Sequence, residues 1–161
     1  MARTALLTAA VLYALSSTVS ALVLPERVPL HFGLDGAADR YGARAEAVTG
    51  FAVLGIGLLV LWLVVVQLLR RSSLDLFNVP HPEYWKTPER EPELRRRVEA
   101  DLTWFFAATI LLLAAVPLAM AVAAQTDGRL PWAFQVLFGL FLVGTVVWCV
   151  QLSVRRYQPP A

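Results

Sequence analysis

The stretch VTGFAVLGIGLLVLWLVVVQLL, residues 48–69, contains no charged residue and is long enough to cross a bilayer as a helix. A helix needs roughly 20 apolar residues to cross the hydrocarbon core. Three further runs share this property, so the predicted spans are about 5–24, 48–69, 102–124 and 132–154. Because 58% of the 161 residues are hydrophobic and 16% are charged, we predict an all-α integral membrane protein. Its 161 residues form a single four-span domain.

Charged residues are missing from all four predicted spans. Ionisable side chains at membrane depth usually mark proton relays, ion paths or substrate counter-ions. The composition therefore argues against a pump, a coupled transporter or an intramembrane hydrolase. Any specific chemistry is expected in the loops, and no catalytic residue, cofactor or metal ligand set is predicted.

The distribution of basic residues predicts the orientation. Of the 14 Lys and Arg residues, ten lie beside the N-terminus, in the loop 70–101 or near the C-terminus, and four lie on the other side. The positive-inside rule then predicts a multi-pass protein of the cell membrane with both termini and the loop 70–101 in the cytoplasm. The loop 25–47 is predicted to face outward.

The first span also has features of a secretory signal peptide. A basic start precedes an apolar region, and Val19, Ser20 and Ala21 suit signal peptidase. The apolar run continues to Leu24, however, which is long enough to span and favours a retained helix. Cleavage would leave the sidedness of every loop unchanged.

The cytoplasmic loop carries seven basic and seven acidic residues, which is not the pattern of a nucleic-acid site or an anionic-lipid patch. The start of a helix is indicated by three residues in succession: Thr87 suits the N-cap, Pro88 the first helical position and Glu89 the first turn. We therefore predict a cytoplasmic helix extension that begins near Pro88 and continues through the third span to about residue 123. Pro117 should kink this rod near Leu113.

Charge pairs four residues apart support that helix. They are Glu91 with Arg95, Glu93 with Arg97, Arg95 with Glu99, and Arg97 with Asp101. A solvated helix extension is the favoured interpretation, and a platform for a cytoplasmic partner is the alternative.

The segment FNVPHPEYW, residues 77–85, precedes this helix. Its aromatic residues Phe77, Tyr84 and Trp85 suit a membrane interface or a partner contact, and the membrane face is favoured. His81 has no companion histidine, so a metal role is not expected. Cys149 is the sole cysteine, which excludes an intrachain disulfide.

The outward loop places His31, Asp35 and Asp39 four residues apart. Pro29 and two glycines make a continuous helix there unfavourable, so this spacing does not predict a metal site. We expect an extended segment over 28–32, a turn over 33–36 and a second turn over 41–42. Asp39 is predicted to cap the second helix, and His31 to brace the loop.

The stretch LPERVPLHFGLDGAADRYGAR, residues 24–44, resembles the signature of a bacterial membrane family of unknown function. This is the domain found at the N-terminus of SdpI-type toxin-immunity and signalling proteins. The matching residues are Leu24, Pro25, Pro29, His31, Phe32, Gly36, Asp39, Tyr41, Gly42 and Arg44. A second segment of the resemblance, in the cytoplasmic loop, comprises Asn78, Pro80, Tyr84, Trp85, Pro88, Glu89 and Arg90.

The resemblance implies a stand-alone form of that domain in a bacterial plasma membrane. The chain departs from the pattern at Gly33, at Ala38 and at the pair His81-Pro82. It also lacks the second membrane module of the SdpI-type proteins. Immunity and signalling are therefore implied only as possible roles of the family.

Three hypotheses follow from the sequence. The first is a non-enzymatic binding, sensory or immunity-like membrane protein that recognises a peptide or envelope component through the outward loop. The second is a structural or accessory subunit of a membrane complex. The third, an enzyme using His31 with Asp35 or Asp39, is disfavoured because these residues define no shaped site. The bilayer is the predicted environment, a protein or peptide partner is open, and nucleic acid is not expected.

Overall fold

The computed structural model describes residues 1–159, which form a bundle of long helices with a small β-hairpin at one end. The elements in chain order are α1 (Ala2–Val23), β1 (Arg27–Phe32), β2 (Ala38–Ala43), α2 (Arg44–Arg71), a 3-10 turn (Leu74–Leu76), α3 (Pro82–Trp85), α4 (Glu91–Leu113), α5 (Ala115–Gln125), α6 (Trp132–Gln151) and a π-helical turn (Leu152–Arg156). Four helical stretches are long and apolar enough to cross a membrane: Ala2–Val23, Arg44–Arg71, Glu91–Gln125 and Trp132–Arg156. The predicted all-α fold with four spans is confirmed.

The third span is broken where the sequence predicts a kink. Helix α4 ends at Leu113 and α5 begins at Ala115. Pro117 has no backbone N–H to donate to the carbonyl of Leu113, and its ring crowds that carbonyl. The two helices continue in one direction as a kinked rod of 35 residues.

The start of that rod differs from the prediction. Helix α4 begins at Glu91, and residues 88–90 form a turn in which the backbone carbonyl of Thr87 accepts from the N–H groups of Arg90 (3.1 Å) and Glu91 (3.0 Å). A helix beginning at Pro88 would place Pro92 four residues inside it, where its ring would clash with the carbonyl of Pro88. Beginning at Glu91 puts Pro92 in the first turn, where a missing N–H costs nothing.

The core lies where α4 packs along α1. One cluster of buried residues comprises Leu6, Ala9, Tyr13, Phe106, Ala107, Ile110 and Ala114. The hydroxyl of Tyr13 donates to the backbone carbonyl of Phe51 at 2.7 Å, which ties α1 to α2 without leaving a polar atom in the apolar layer.

Helix α6 is the most exposed part of the bundle. None of its residues, all of which the structure describes, is buried. Helix α2 buries only Ala47, Phe51 and Val66. Two of the four spans therefore present most of their apolar surface to the surroundings.

The predicted outward loop 25–47 contains an antiparallel hairpin over residues 27–43, and α2 already begins at Arg44. The extended segment and the turn over residues 33–36 are confirmed, with Gly36 at φ +76° and its N–H on the carbonyl of Gly33 at 2.9 Å. The second turn predicted at Tyr41 and Gly42 is wrong, because both lie in β2 opposite Pro29 and Val28. Gly42 is needed for close approach instead, since a Cβ there would clash with the side chain of Leu30.

Candidate functional site

The molecule has two polar ends. The hairpin end comprises β1, β2 and the loop 126–131. The terminal end comprises residues 1–3, the loop 72–90, the first turns of α4 and residues 152–159. These names are kept below.

The inner face of the hairpin is anchored in the bundle. Val28 and Pro29 of β1 are fully buried. The surrounding cluster comprises Leu24, Val28, Ala47, Phe51, Met120 and Ala121, which come from α1, β1, α2 and α5. The hairpin is thus a packed element of the fold, and its position is fixed by three helices.

The loop 126–131 extends the hairpin at its turn. The N–H of Ala38 donates to the carbonyl of Gly128 at 2.9 Å, and the N–H of Leu130 donates to the carbonyl of Gly36 at 2.9 Å. Gly128, at φ +74°, lies against the hydroxyl of Tyr41, which leaves no room for a Cβ. These bonds hold the hairpin tip on both sides.

The outer face of the hairpin carries exposed polar groups. His31 Nδ1 lies 2.6 Å from Asp39 Oδ1, and the two side chains are 67% and 54% exposed. Arg40 pairs with Glu46, and the guanidinium of Arg27 lies 5.1 Å from the centre of the Tyr41 ring. We call His31, Asp39, Arg40 and Tyr41, with the fully exposed Leu34 at the tip, the hairpin face.

The prediction that Asp39 caps α2 is wrong, and the prediction that His31 braces the loop holds in part. Asp39 lies in β2, and the N-cap of α2 is Ala43, where no side chain among the described residues provides a cap. Asp39 falls between the paired positions His31–Arg40 and Phe32–Ala38, so it is the extra residue of a β-bulge. A bulge re-aims a side chain, which brings Asp39 onto the histidine of the opposite strand.

The other predicted hairpin residues serve the scaffold. Pro25 is exposed, Phe32 is half-buried, and Gly36 is buried at the turn. The guanidinium of Arg44 donates to the carbonyl of Leu24 at 3.2 Å, which satisfies the end of α1. The carboxylate of Asp35 accepts a hydrogen bond from the backbone N–H of Ala37 at 3.1 Å.

An apolar cleft lies beside the hairpin face. It has a volume of about 280 Å³ and is lined by Leu30, His31, Phe32, Val116, Ala119, Met120, Leu130 and Phe134. His31 is the one ionisable side chain of this lining. The cleft can hold an apolar side chain with polar groups at its edge.

At the terminal end the aromatic residues are buried inside the protein. Phe77, Trp85, Leu94 and Tyr157 form one cluster, and Trp85 is 1% exposed. The indole N–H of Trp85 donates to the carbonyl of Tyr157 at 2.8 Å. The prediction that Phe77 and Trp85 lie on the membrane face is therefore wrong, because α4 and the C-terminal segment cover them.

Arginines of α4 and its N-cap cover these rings. Arg90 lies over Tyr84 at 4.3 Å, Arg95 over Phe77 at 5.3 Å and Arg97 over Trp85 at 4.7 Å. Stacking of this kind is attractive because the ring face is negative. The segment 77–90 is thereby fixed against the start of α4.

Two of the four predicted charge pairs form. Glu91 contacts Arg95 at 2.8 Å, and Glu93 contacts Arg97. The pairs Arg95–Glu99 and Arg97–Asp101 are wrong. Arg95 instead donates to the carbonyls of Leu69 and Ser72, which closes the C-terminal end of α2.

Glu99 and Asp101 find partners on other helices. Glu99 accepts from Arg70 of α2 at 2.8 Å and from Arg3 of α1 at 2.7 Å. Asp101 is buried and accepts from the Nε of Arg156 and the hydroxyl of Tyr157, both at 2.8 Å. These two acids therefore join α4 to α1, α2 and the end of α6.

Tyr157 is perturbed by this site. Burial, followed by the hydrogen bond to Asp101, raises the pKa of the phenol well above its ordinary value of 10.0. The neutral phenol is therefore held as a donor to the Asp101 carboxylate.

The remaining predicted residues of the loop line its surface. Asn78 and Pro80 border a cleft, while Pro88 and Glu89 are exposed in the turn before α4. His81 has φ +54° and contacts the Gln158 side chain at 2.9 Å. The bonds made by Arg3, Arg70, Arg156 and Tyr157 could not be predicted from local spacing, because their partners are distant in sequence.

These features define a class, the multi-pass helical membrane protein with an ordered hairpin at one end and an ion-paired cap at the other. Residues 5–56 match the model of a family described as a domain of unknown function, DUF1648. The match covers α1, the hairpin and the first part of α2, which is less than half of the chain. The predicted resemblance to a domain of unknown function is confirmed for this segment. No curated protein and no solved structure matches the chain.

Proposed function

We propose that the protein is a non-enzymatic binding protein of the bacterial plasma membrane, of a sensory or immunity-like kind. Its hairpin face recognises a peptide or an envelope component outside the cell. The observation that supports this most directly is the exposure of His31 and Asp39 on a hairpin that is anchored in the bundle by the buried residues Val28 and Pro29. A rigid element with exposed polar and aromatic groups is suited to recognition.

The chemistry of the site favours a peptide. The cleft beside His31 has room for one apolar side chain, and His31, which is paired with Asp39, offers a hydrogen bond in its lining. Apolar pockets edged by a few polar groups give affinity and orientation together. A peptide whose apolar side chain enters the cleft satisfies both parts of the site.

The same site is poorly suited to catalysis. His31 and Asp39 are both more than half exposed, so water competes with any transition-state contact. A general base also needs a positioned substrate proton in a shaped site. The cleft beside His31 offers apolar walls and no second polar group for that purpose.

The proposed function includes an orientation of the protein in the membrane. Eight of the 14 basic residues lie at the terminal end and two more, Arg70 and Arg71, lie in the adjoining last turn of α2, so this end faces the cytoplasm, with both termini inside. The hairpin contacts α1, α2 and α5, and the opposite ends of α1 and α2 meet at Glu99. Because the hairpin is packed on these helices, a ligand bound to it acts on helices whose other ends are joined in the cytoplasm.

A second function, that of an accessory subunit in a membrane complex, is favoured by one observation. Helix α6 buries none of its residues, and its apolar surface is free to pack against helices of another protein. In that case the hairpin would serve the fold, and α6 would carry the interface.

A pulldown from native membranes separates these functions. The wild type, the double variant His31→Ala with Asp39→Asn, and the control Glu26→Gln are compared at equal abundance after brief cross-linking. Glu26 is exposed at the hairpin base and only its backbone carbonyl is used, by Arg44. The proposal expects capture of a partner by the wild type and the control, and a loss of about tenfold or more in the double variant.

The opposite pattern supports the accessory role. If the double variant captures the partner as well as the wild type, while Leu140→Trp on α6 loses it, the hairpin is not the recognition site. Leu140 is exposed on α6, so the larger side chain alters the helix surface without disturbing a core contact.

A further inference from the structure

A second site lies at the terminal end, between α4 and α6. Two adjoining cavities of about 540 and 720 Å³ share Asp101, Phe105, Trp148 and Leu152 in their linings. Most of the remaining lining is apolar, and it includes Trp104, Phe141 and Gly144 on one side. The shared residues form a wall common to both cavities, in which the rings of Phe105 and Trp148 are stacked with their centres 6.3 Å apart. We call the two cavities together the cleft.

The cleft holds a buried charge with unused bonding capacity. Asp101 is 7% exposed, and both of its hydrogen bonds end on Oδ2. Its Oδ1 accepts no hydrogen bond from any residue in the described range 1–159. A carboxylate oxygen in an apolar surrounding gains most from a charged donor.

The guanidinium of Arg156 lies beside the Asp101 carboxylate. Arg156 uses its Nε for Asp101, and its two terminal nitrogens donate to no residue within the described part of the chain. The side chain is 42% exposed and lines the smaller cavity, so Arg156 is accessible at the rim of the cleft. The site therefore offers an acceptor inside and two donors at the rim.

The backbone supports this arrangement. Residues Leu152–Arg156 form a π-helical turn, whose wider backbone brings both Arg156 and Tyr157 onto Asp101. Single π-helical turns often occur at functional sites. Trp148 lies three residues before the end of α6, where indole rings favour the level of lipid head groups.

We propose that this cleft binds a phospholipid with a primary-amine head group, such as phosphatidylethanolamine. The ammonium donates to Oδ1 of Asp101, the phosphate accepts from the terminal nitrogens of Arg156, and the acyl chains fill the apolar cavities. The site does not depend on the function proposed for the hairpin.

Other head groups fit less well. A choline head has no N–H to donate to Asp101, and a glycerol head has no cation for it. Free inorganic phosphate would meet Arg156 but would leave the apolar cleft empty. The site therefore favours a zwitterionic lipid whose ammonium group can donate hydrogen bonds and whose acyl chains fill the apolar cavities.

Native mass spectrometry of the delipidated protein in detergent tests the proposal. The protein is offered equal amounts of phosphatidylethanolamine, phosphatidylcholine and phosphatidylglycerol with identical chains. We expect the wild type to retain the ethanolamine lipid about tenfold better than the choline lipid, since one charge-assisted hydrogen bond distinguishes them. Asp101→Asn should bring this ratio close to one.

A matched pair of glycine variants tests the cleft without touching Asp101. Gly144 lines the cleft and Gly139 lies on the same helix outside it, and a Cβ at either glycine meets no other atom within 4 Å. Gly144→Leu should lower the retention of every lipid several-fold, because the new side chain fills the cavity. Gly139→Leu should behave like the wild type. Gel filtration and thermal melting check that each variant is folded.

Equal retention of the ethanolamine and choline lipids by the folded wild type would overturn the proposal, because Asp101 would then not choose the head group. Strongest retention of phosphatidylglycerol would also overturn it and would indicate that Arg156 acts alone. Equal effects of Gly144→Leu and Gly139→Leu would place the lipid outside this cleft.

Discussion

Replacing Trp85 tests whether the loop 72–90 is fixed to the bundle as described. Trp85 is 1% exposed, its N–H donates to the carbonyl of Tyr157 at 2.8 Å, and Arg97 lies over its ring. Trp85→Ala removes a large buried side chain, which typically costs about 3–5 kcal/mol. Trp85→Phe keeps a buried ring and loses the hydrogen bond, so we expect a cost of about 1–3 kcal/mol, mostly from the unsatisfied carbonyl.

The assay is reversible unfolding of the protein in mixed micelles, with hydrogen exchange to locate the change. Trp132, exposed at the start of α6, provides the control: Trp132→Phe should change the free energy of unfolding by less than about 0.5 kcal/mol. Exchange in Trp85→Ala should rise in residues 77–90 and 152–158 and stay unchanged in the hairpin. If Trp85→Ala is as stable as the Trp132 control, the buried aromatic cluster does not hold the two segments together.

Three further predictions concern topology, the hairpin pair and pH. In a cysteine-free background, an impermeant maleimide on intact cells should label Leu34→Cys and spare Ser73→Cys, and the reverse pattern would invert the orientation. Asp39→Ala should lower the free energy of unfolding by no more than about 1 kcal/mol, because its contact with His31 is exposed; a larger loss, measured by the same unfolding assay, would mean that the carboxylate is structural. Burial and Asp101 raise the pKa of folded Tyr157 above its ordinary value of 10.0, so its contribution to stability is complete below pH 10.0 and is lost as the pH rises from there towards the folded pKa. The melting temperature should therefore fall more steeply above pH 10.0 in the wild type than in Tyr157→Phe, and identical slopes would refute this.

The spans could be predicted because the bilayer leaves few alternatives. An uncharged run of about 20 residues can satisfy its backbone in lipid only as a helix or in a closed barrel, and the length here fits a helix. The kink near Leu113 follows from Pro117 by covalent geometry alone. The turn over residues 33–36 follows from glycine, which tolerates the positive φ found at Gly36.

The wrong predictions relied on residues that are close in sequence, whereas the side chains concerned bond to residues that are distant in sequence. Glu99 and Asp101 stand four residues from suitable arginines, yet they bond to residues 29 and 55 positions away. The local pairs contribute only about 0.3–0.5 kcal/mol, so a better-placed tertiary partner wins. Asp39 has the chemistry of an N-cap, but the strand pairing of β2 places it five residues before α2.

Cross-linking from the hairpin tip tests directly whether the hairpin face is a recognition surface. A photoreactive phenylalanine analogue at Leu34, which is fully exposed, is irradiated in native membranes and compared with the same analogue at Leu76, which is exposed at the terminal end. We expect a discrete adduct from position 34 that disappears in His31→Ala with Asp39→Asn. From position 76 we expect a different adduct pattern that this double variant does not change. No adduct from position 34, or an adduct that persists in the double variant, would contradict a recognition role for the hairpin face.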